Sequence, residues 1–377
     1  MAVLPLKITV YDGAYHRKGW IGAPVKLDLH PRAFLPGTGT ITLSPTDPRL
    51  GDVTDLDNGA RLVIEYKGEF LMSGWVDTDN GLIPSRTGFP TINFVEDKVL
   101  LWDTQGWPVP GAALSSQSGA AYYTKTGNAE TILKDLVTKN CITRLGLPVT
   151  CATNLNRGAT IPGGVSIRMQ KLADVLYPAL TDAGICVTVQ QVGSGLVVDC
   201  YAQTTYPRTL TEESGILEKG SFSLSGPSAT RVIGGGQGEG TARHFIGQTV
   251  AGREAAGRII EVFRDARDAS DDTILANRVQ NTVDSTGSTA SLSLSLSETA
   301  NFRFMGPNGV RLGQLMPVQV RPGVVITEAV TEASIKWDKA NGLVTNPILG
   351  DRSNDPAVTL TKSISAAFRA VRTLKSR

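Results

Sequence analysis

From Leu6 to Trp102 the chain is written as short runs in which apolar and polar residues alternate. These are Lys7–Tyr11, Val25–Leu29, Gly39–Leu43, Arg61–Tyr66 and Glu69–Val76, with Asp97–Leu101 read as a sixth strand. A period of two sends every second side chain to the same face, so such runs bury one face of a sheet and leave the other to solvent. Lys67-Gly68 reads as a tight turn between two of them. Many short strands joined by tight turns close most easily into a small barrel or a sandwich. With 40 Gly and 20 Pro in 377 residues, the chain has turn formers at a density that favours β structure over helical bundles.

After a proline- and serine-rich stretch, Pro108–Ser118, the pattern changes period. Asn128 is placed to cap a helix reaching Asn140, with Ile132, Leu133, Leu136 and Val137 on one stripe. A second helix is expected over Gln170–Ala183, carrying Leu172, Val175, Leu176, Ala179 and Leu180, bent at Pro178 and stopped by Gly184. A hairpin over Ile185–Ala202, turning at Gly193-Ser-Gly195, completes an α/β unit between β-rich parts.

Strands resume at Ser221–Leu224, Thr230–Ile233 and Arg258–Phe263, followed by a helix over Asp271–Val283. Ser291–Leu296 alternates strictly, and Pro317–Val320, Val324–Thr327 and Ala333–Trp337 read as further strands. Leu56–Gly68 and Leu312–Gly323 share a leucine, a two-residue alternation and a glycine turn. The second copy is one residue shorter and lacks the first glycine, so duplication is suggested rather than shown.

The segment Arg231-Val-Ile-Gly-Gly-Gly-Gln-Gly-Glu-Gly-Thr-Ala-Arg243 resembles a phosphate-binding loop. It fails the physical tests for one. A dinucleotide fingerprint needs glycines at the first, third and sixth positions of a turn that opens a helix. From Gly234 the sixth position is Glu239, and from Gly236 it is Thr241. No Lys-Ser or Lys-Thr follows, and the short run to Gly247 presents no helix N-terminus to an anion. The segment is therefore expected to be structural: a strand ending at Ile233, then Gly234, Gly235, Gly236, Gly238, Glu239, Gly240 and Arg243 in a loop using positive φ angles or a bulge, and re-entry into a sheet at Phe245.

Other chemistry is equally thin. His16, His30 and His244 are the only histidines, and neither a Gly-x-Ser-x-Gly elbow nor a His-Glu-x-x-His helix occurs. Asp55 with Asp57 and Asp77 with Asp79 each adjoin an Asn-Gly turn, where aspartates bond the backbone. Cys141, Cys151, Cys186 and Cys200 form no Cys-x-x-Cys pair, which disfavours zinc. Cys186 and Cys200 lie on opposite arms of the expected hairpin, but free buried thiols are the preferred reading. No catalytic residue, cofactor or metal ligand is assigned. A net charge of +2 argues against binding nucleic acid by phosphate neutralisation, and no sequence-specific nucleic-acid binding is expected. Residues 1 to 25 hold no apolar h-region, and assembly in a host cytoplasm is expected. Beyond Asp355 the tail carries Lys362, Arg369, Arg372, Lys375 and Arg377, with Ile364, Phe368 and Val371 on one stripe of an amphipathic interface helix.

Taken in order, these residues resemble a family, the minor tail proteins of siphophages that form the baseplate hub at the tail tip. The likeness runs through Pro36-Gly37-Thr38 with Ile41-Thr-Leu43, Leu56–Gly59, Ser73-Gly74, Trp102, Asn128–Asn140, Gly235–Arg243, Glu261–Arg267 and Arg311-Leu-Gly313 with the strands after it. The stretch Gly235–Arg243 is the most specific of these. The resemblance implies an α+β, mainly β fold, with two small β-barrel domains per subunit at 1–107 and 216–350, the second carrying an inserted helix. An α/β insertion domain at 108–215 would separate them, and 351–377 would be a short C-terminal helix or basic tail. It also implies a structural virion protein, a homotrimer whose six barrels match a sixfold distal tail ring protein. The implied neighbours are the C-terminus of the tape-measure protein and peripheral fibre or receptor-binding proteins, and viral DNA passes when the hub opens. Gln314 departs from the pattern, which has an acidic residue there. The alternative class is a tail-associated cell-wall hydrolase or carbohydrate-binding host-recognition module, disfavoured because only about thirty residues follow the second barrel.

Overall fold

The early alternation is realised as antiparallel sheet. Strands β1 (Leu6–Tyr11), β2 (Arg17–Ile21), β3 (Lys26–His30) and β4 (Thr38–Thr42) precede a single helical turn, α1 (Leu50–Val53), and β5 (Arg61–Tyr66), β6 (Glu69–Asn80) and β7 (Thr91–Glu96) follow it. They pair in the order β3-β4-β7-β6-β5-β1-β2. Ile8 and Val10, Leu27 and Leu29, Leu62 and Ile64, and Ile92 and Phe94 each sit two apart and turn into one core, as the period requires. The computed structural model describes residues 6–80, 88–255, 257–267, 269 and 271–350.

One expected strand is a helix. Asp97–Val99 is a 3-10 turn that runs into α2 (Leu100–Asp103), and the alternation belongs instead to β7 just before it. A short apolar run has no period to read, and here long-range pairing decides its form. Asp97 is wholly buried and accepts two bonds from the Nη2 of Arg61 at 2.7 Å, with a third from the Ser73 hydroxyl at 2.5 Å. Arg61 in turn donates from Nε to the Gln191 side chain at 2.9 Å and stacks between Trp75 and Tyr15.

The central elements are β8 (Gln105–Gly106), β9 (Tyr123–Asn128), α3 (Ala129–Val137), β10 (Val149–Cys151), β11 (Thr160–Ile167), β12 (Gln170–Lys171), α4 (Leu172–Asp182), β13 (Ile185–Val192) and β14 (Gly195–Ala202). Asn128 caps α3 by accepting from the Thr131 amide at 2.9 Å. The helix continues as a π-helical stretch, Thr138–Arg144. Pro178 lies inside α4. Ile132, Leu133, Leu136 and Val137 meet Leu172, Leu176 and Leu180 over β13 and β14 in a core of their own. In the β13–β14 hairpin Cys186 pairs with Tyr201 and Val187 with Cys200. The two cysteines are therefore on opposite faces, and all four thiols are free.

The remaining strands are β15 (Leu217–Ser225), β16 (Arg231–Gly235), β17 (Phe245–Thr249) and β18 (Glu261–Asp265), then helix α5 (Asp272–Ser285), then β19 (Thr289–Leu296), β20 (Leu315–Arg321), β21 (Val324–Asp338) and β22 (Gly342–Leu349). The two segments expected at Val324–Thr327 and Ala333–Trp337 form the single strand β21, whose pairing with β22 slips between Val330 and Glu332. At that slip Glu332 meets Arg32 and His30, each at 2.8 Å. β22 was absent from the sequence reading.

The chain forms two compact units, described residues 6–220 with 293–350, and 221–292. Twelve strands form one sheet along the path β15-β19-β22-β21-β3-β4-β7-β6-β5-β1-β2, with β20 on β21. The expected barrels are not closed: among the described residues no ladder joins the two ends of that path, and the β3–β21 ladder makes their strands continuous. The sequence echo does have a structural counterpart. β5 and β6 turn at Lys67-Gly68, with φ of 52° and 81°, and β20 and β21 turn at Pro322-Gly323, with φ of 76° at Gly323. Gly59 and Gly313, one at the head of each hairpin, have φ of 72° and 75°. The expected C-terminal helix with Ile364, Phe368 and Val371 lies outside the described residues.

Candidate functional site

The second unit holds the glycine segment, and its geometry follows from small residues meeting a helix. β16 is the middle of a three-stranded sheet, antiparallel to β17 and parallel to β18. One face packs on α5 through Val232, Val279 and Val283. Gly234 faces that helix, and a Cβ there would stand 2.4 Å from the Val279 Cγ2. The glycine is thus needed for close approach and not for its φ. Asp271 caps α5, accepting from the Ile274 amide at 2.9 Å.

The loop itself uses positive φ only at Gly238 (98°) and Gly240 (54°). Gly236 needs no such angle, and its added Cβ would meet only the end of Leu275 at 2.9 Å. Glu239 is exposed and leads into a 3-10 turn, Gly240–Ala242. The Gly236 amide bonds the His244 carbonyl at 2.9 Å and the chain re-enters the sheet at Phe245, as expected. Arg243 closes the loop. Its Nη2 donates to the Gly235 carbonyl at 3.1 Å and to Asp265 at 2.5 Å, and its Nε to the Gly236 carbonyl at 3.3 Å. The Arg243 guanidinium thus holds Gly235 and Gly236 by their carbonyls, whereas Gly234 packs on α5 and a Cβ added at Gly240 would meet nothing within 4 Å.

The face of this sheet opposite α5 was not foreseen. Cross-strand register puts Arg231, Ile233 and Gly235 beside Phe245, Gly247 and Thr249 on one side and Glu261, Phe263 and Asp265 on the other. Phe245 and Phe263 are 53% and 52% exposed. Their rings lie 6.3 Å apart, and the Arg243 guanidinium sits 5.5 Å and 5.3 Å from their centroids. A cation shared by two rings fixes both side chains while leaving their outer surfaces in water. Gly235 makes room for it, since a Cβ would come within 2.7 Å of Arg243 and Phe263. The sequence signal was available in the spacing of Arg-His-Phe245 and Val-Phe263-Arg, but it becomes one patch only through the parallel β16–β18 pairing.

The groups considered for catalysis are dispersed or committed. His244 bonds Asp272 at 2.8 Å, His30 lies between Asp28 and Glu332, and His16 is exposed beside Asp12. Burial pushes the Cys141 and Cys186 thiols up to about 11 and the Cys200 thiol to about 12, the opposite of an activated nucleophile. Glu130, Asp199 and Cys200 converge closely enough to suggest a cation site. Two cations of the chain already fill it, Lys134 at 2.6 Å from Glu130 and 3.0 Å from Asp199, and Arg157 at 2.7 Å from Glu130. Asp55 holds the amide and side chain of Asn58, the turn role expected of it.

Residues 7–351 match the family described as Siphovirus ReqiPepy6 Gp37-like protein. The chain belongs to this family. The match spans both units, including the glycine segment and the open sheet face. No curated protein matches the chain. Among solved structures, the prophage tail protein gp18 from Listeria monocytogenes is similar over 96% of this chain and 99% of its own, with a TM-score of 0.54 and 12% identity. The 43 kDa tail protein of prophage MuSo2 from Shewanella oneidensis is similar over 91% and 98%, with a TM-score of 0.53 and 12% identity. A tail protein from Neisseria meningitidis covers 92% and 97% at 0.51 and 12%. At such identity the likeness is one of fold, so this Gp37-like chain shares its mainly β architecture with phage tail proteins.

Proposed function

We propose that this Gp37-like chain is a structural, non-enzymatic component of a siphophage tail, acting as the baseplate hub at the tail tip. The observation that carries the reading is a fold shared with three solved tail proteins, two of them from prophages, over 91 to 96% of the chain. The paired hairpins at Lys67-Gly68 and Pro322-Gly323 support a subunit built from two related β parts. Two parts per subunit let three subunits match a sixfold distal tail ring, so the assembly is a cyclic homotrimer. In this arrangement the hub also meets the tape-measure C-terminus and the peripheral fibre proteins, and it opens for DNA passage. The face carrying Phe245 and Phe263 is a contact surface toward a neighbouring copy, because ordered aromatics exposed beside an arginine are the residue types that anchor interfaces.

Light scattering on the purified protein tests the assembly: the expected mass is three times the 40.0 kDa of one chain. A monomer at micromolar concentration, or a hexamer, would overturn the two-part argument. Gold label on a tagged copy in intact virions should decorate the distal end of the tail, and label along the shaft would overturn the tip assignment.

A further inference from the structure

The open end of the long sheet carries a groove of about 1050 Å³, and it belongs to none of the features above. Its floor and walls are Leu6 and Ile8 of β1, Trp20 and Ile21 of β2, and Trp337 at the end of β21. Ile8 and Ile21 are buried, whereas Trp20 is 62% exposed. β2 is the terminal strand of the path, with no further strand beside it among the described residues. An open strand edge next to an apolar trough is the geometry in which an extended segment adds to a sheet.

The rim gives this groove a sign. Arg17 and Lys339 line it, and no carboxylate pairs with either among the described residues. Arg17 lies instead over the Trp20 ring at 5.4 Å. Asp338, the one acid of the rim, is spent on its own turn: it accepts from the amides of Ala340 and Asn341 at 2.8 and 2.7 Å and from the Asn341 side chain at 2.9 Å. Lys7 is held by Glu65 at 2.7 Å. Because the donors to Asp338 are neutral, it keeps its charge, and the rim has a net positive charge of one, with Arg17 and Lys339 as cations outside any ion pair among the described residues.

We propose that this groove receives an extended segment of a partner protein, which lays apolar side chains between Trp20 and Trp337 and sets carboxylates against Arg17 and Lys339. Alternation serves both needs, because a strand turns successive side chains to opposite sides. The inference stands on the groove and not on the tail reading, so either can fail alone.

Two measurements test it on the full-length protein. A fluorescein-labelled peptide alternating Glu with Val and Leu is titrated by anisotropy against its Lys-for-Glu counterpart. The acidic peptide is expected to bind at least about tenfold more tightly at low salt, with the preference falling as salt rises. Arg17→Glu with Lys339→Glu should reverse the order, and Trp20→Ala should weaken both, with unchanged melting temperatures because these side chains are exposed. Equal binding of the two peptides, or a preference indifferent to the charge reversal, overturns the proposal. In assembled particles a photo-crosslinker at position 20 should capture a segment of a different protein carrying alternating apolar and acidic residues. Capture of a second copy of this chain, of a glycan, or of nothing overturns it as well.

Discussion

Three glycines of the second unit should fail for three separate reasons, and the order of their costs tests whether the segment is structural. At Gly240, φ is +54° and an added Cβ meets nothing within 4 Å. Gly240→Ala therefore incurs only left-handed strain, roughly 1 to 2 kcal/mol, less about 0.4 to 1 kcal/mol from the stiffer unfolded chain. At Gly234 the backbone is ordinary, but the Cβ would stand 2.4 Å from the Val279 Cγ2 and 3.2 Å from the Leu275 Cδ1. Val279 is β-branched and has little rotamer freedom on a helix, so Gly234→Ala must push α5 off the sheet at about 1 to 3 kcal/mol. At Gly238 both problems coincide: φ is +98° and the Cβ would lie 2.3 Å from the Ala242 carbonyl oxygen. A backbone atom cannot swing aside as a side chain does, so Gly238→Ala should cost on the order of 3 kcal/mol or more.

Tryptophan fluorescence is blind to these changes, since all five Trp residues lie outside 221–292. Hydrogen exchange read on peptides covering β16 and β17 is the suitable assay. With 1.4 kcal/mol equal to about tenfold, protection should fall by little more than about tenfold at most for Gly240→Ala and by roughly a hundredfold or more for Gly238→Ala, with Gly234→Ala between. Gly236→Ala should sit near the mild end, because its only close neighbour is the tip of Leu275. A Gly240→Ala effect as large as that of Gly238→Ala would refute the geometric reasoning. So would protection in the unmodified protein rising with ATP or NAD, since ligand binding to the loop would then stabilise it.

Arg61→Met should destabilise by about 3 to 5 kcal/mol by leaving Asp97 charged and buried; adding Asp97→Asn should recover part of that loss, and a double variant worse than the single would contradict the pairing. Urea unfolding followed by Trp fluorescence reads it directly, because Arg61 lies 4.2 Å over the Trp75 ring. Thiol labelling of the native protein at pH 8 should modify Cys151 first, because Cys141, Cys186 and Cys200 are buried with raised thiols. Mild oxidation should not join Cys186 to Cys200, which face opposite sides of their hairpin, and a mapped disulfide between them would show the register to be wrong. Burial alone would raise the Glu332 carboxyl, but hydrogen bonds from His30 and Arg32 hold it down to about 2 against an ordinary 4.5. A depressed acid contributes stability above its unfolded pKa, so this contribution should be complete above about pH 4.5 and vanish as pH falls toward 2. Melting temperature against pH should be less steep over that window in Glu332→Gln, and identical slopes would count against the assignment.

Much of the strand content was legible because one buried face leaves a period of two in the sequence: β1, β3, β4, β5 and β19 read out within a residue or two of their observed limits. Elements without that signature were not. β2, Arg17–Ile21, is largely exposed and its order of side chains carries no alternation. Asp97–Val99 turns because Arg61, 36 residues earlier, pulls Asp97 inward, and no local window contains that pair. The helices were clear for the opposite reason, since α3 and α5 carry both a stripe and an Asn or Asp cap within one window. The sheet path was not readable at all: the β3–β21 ladder joins Lys26–Leu29 to Ile335–Asp338, three hundred residues apart, and links strands from both ends of the chain in one sheet path.

The same separation of scales explains the candidate surface. The glycines were conspicuous as a motif, and the reading that they serve backbone geometry needed only the failure of the phosphate-loop pattern. What they make possible was hidden, because its parts are Arg243, Phe245 and Phe263, dispersed over twenty residues and common singly. Gly235 links the two levels. Its missing Cβ leaves the space in which the Arg243 guanidinium reaches Asp265 and lies against both rings. A motif of this kind marks where backbone has been cleared, and the chemistry lies in the side chains of neighbouring strands that occupy the clearing.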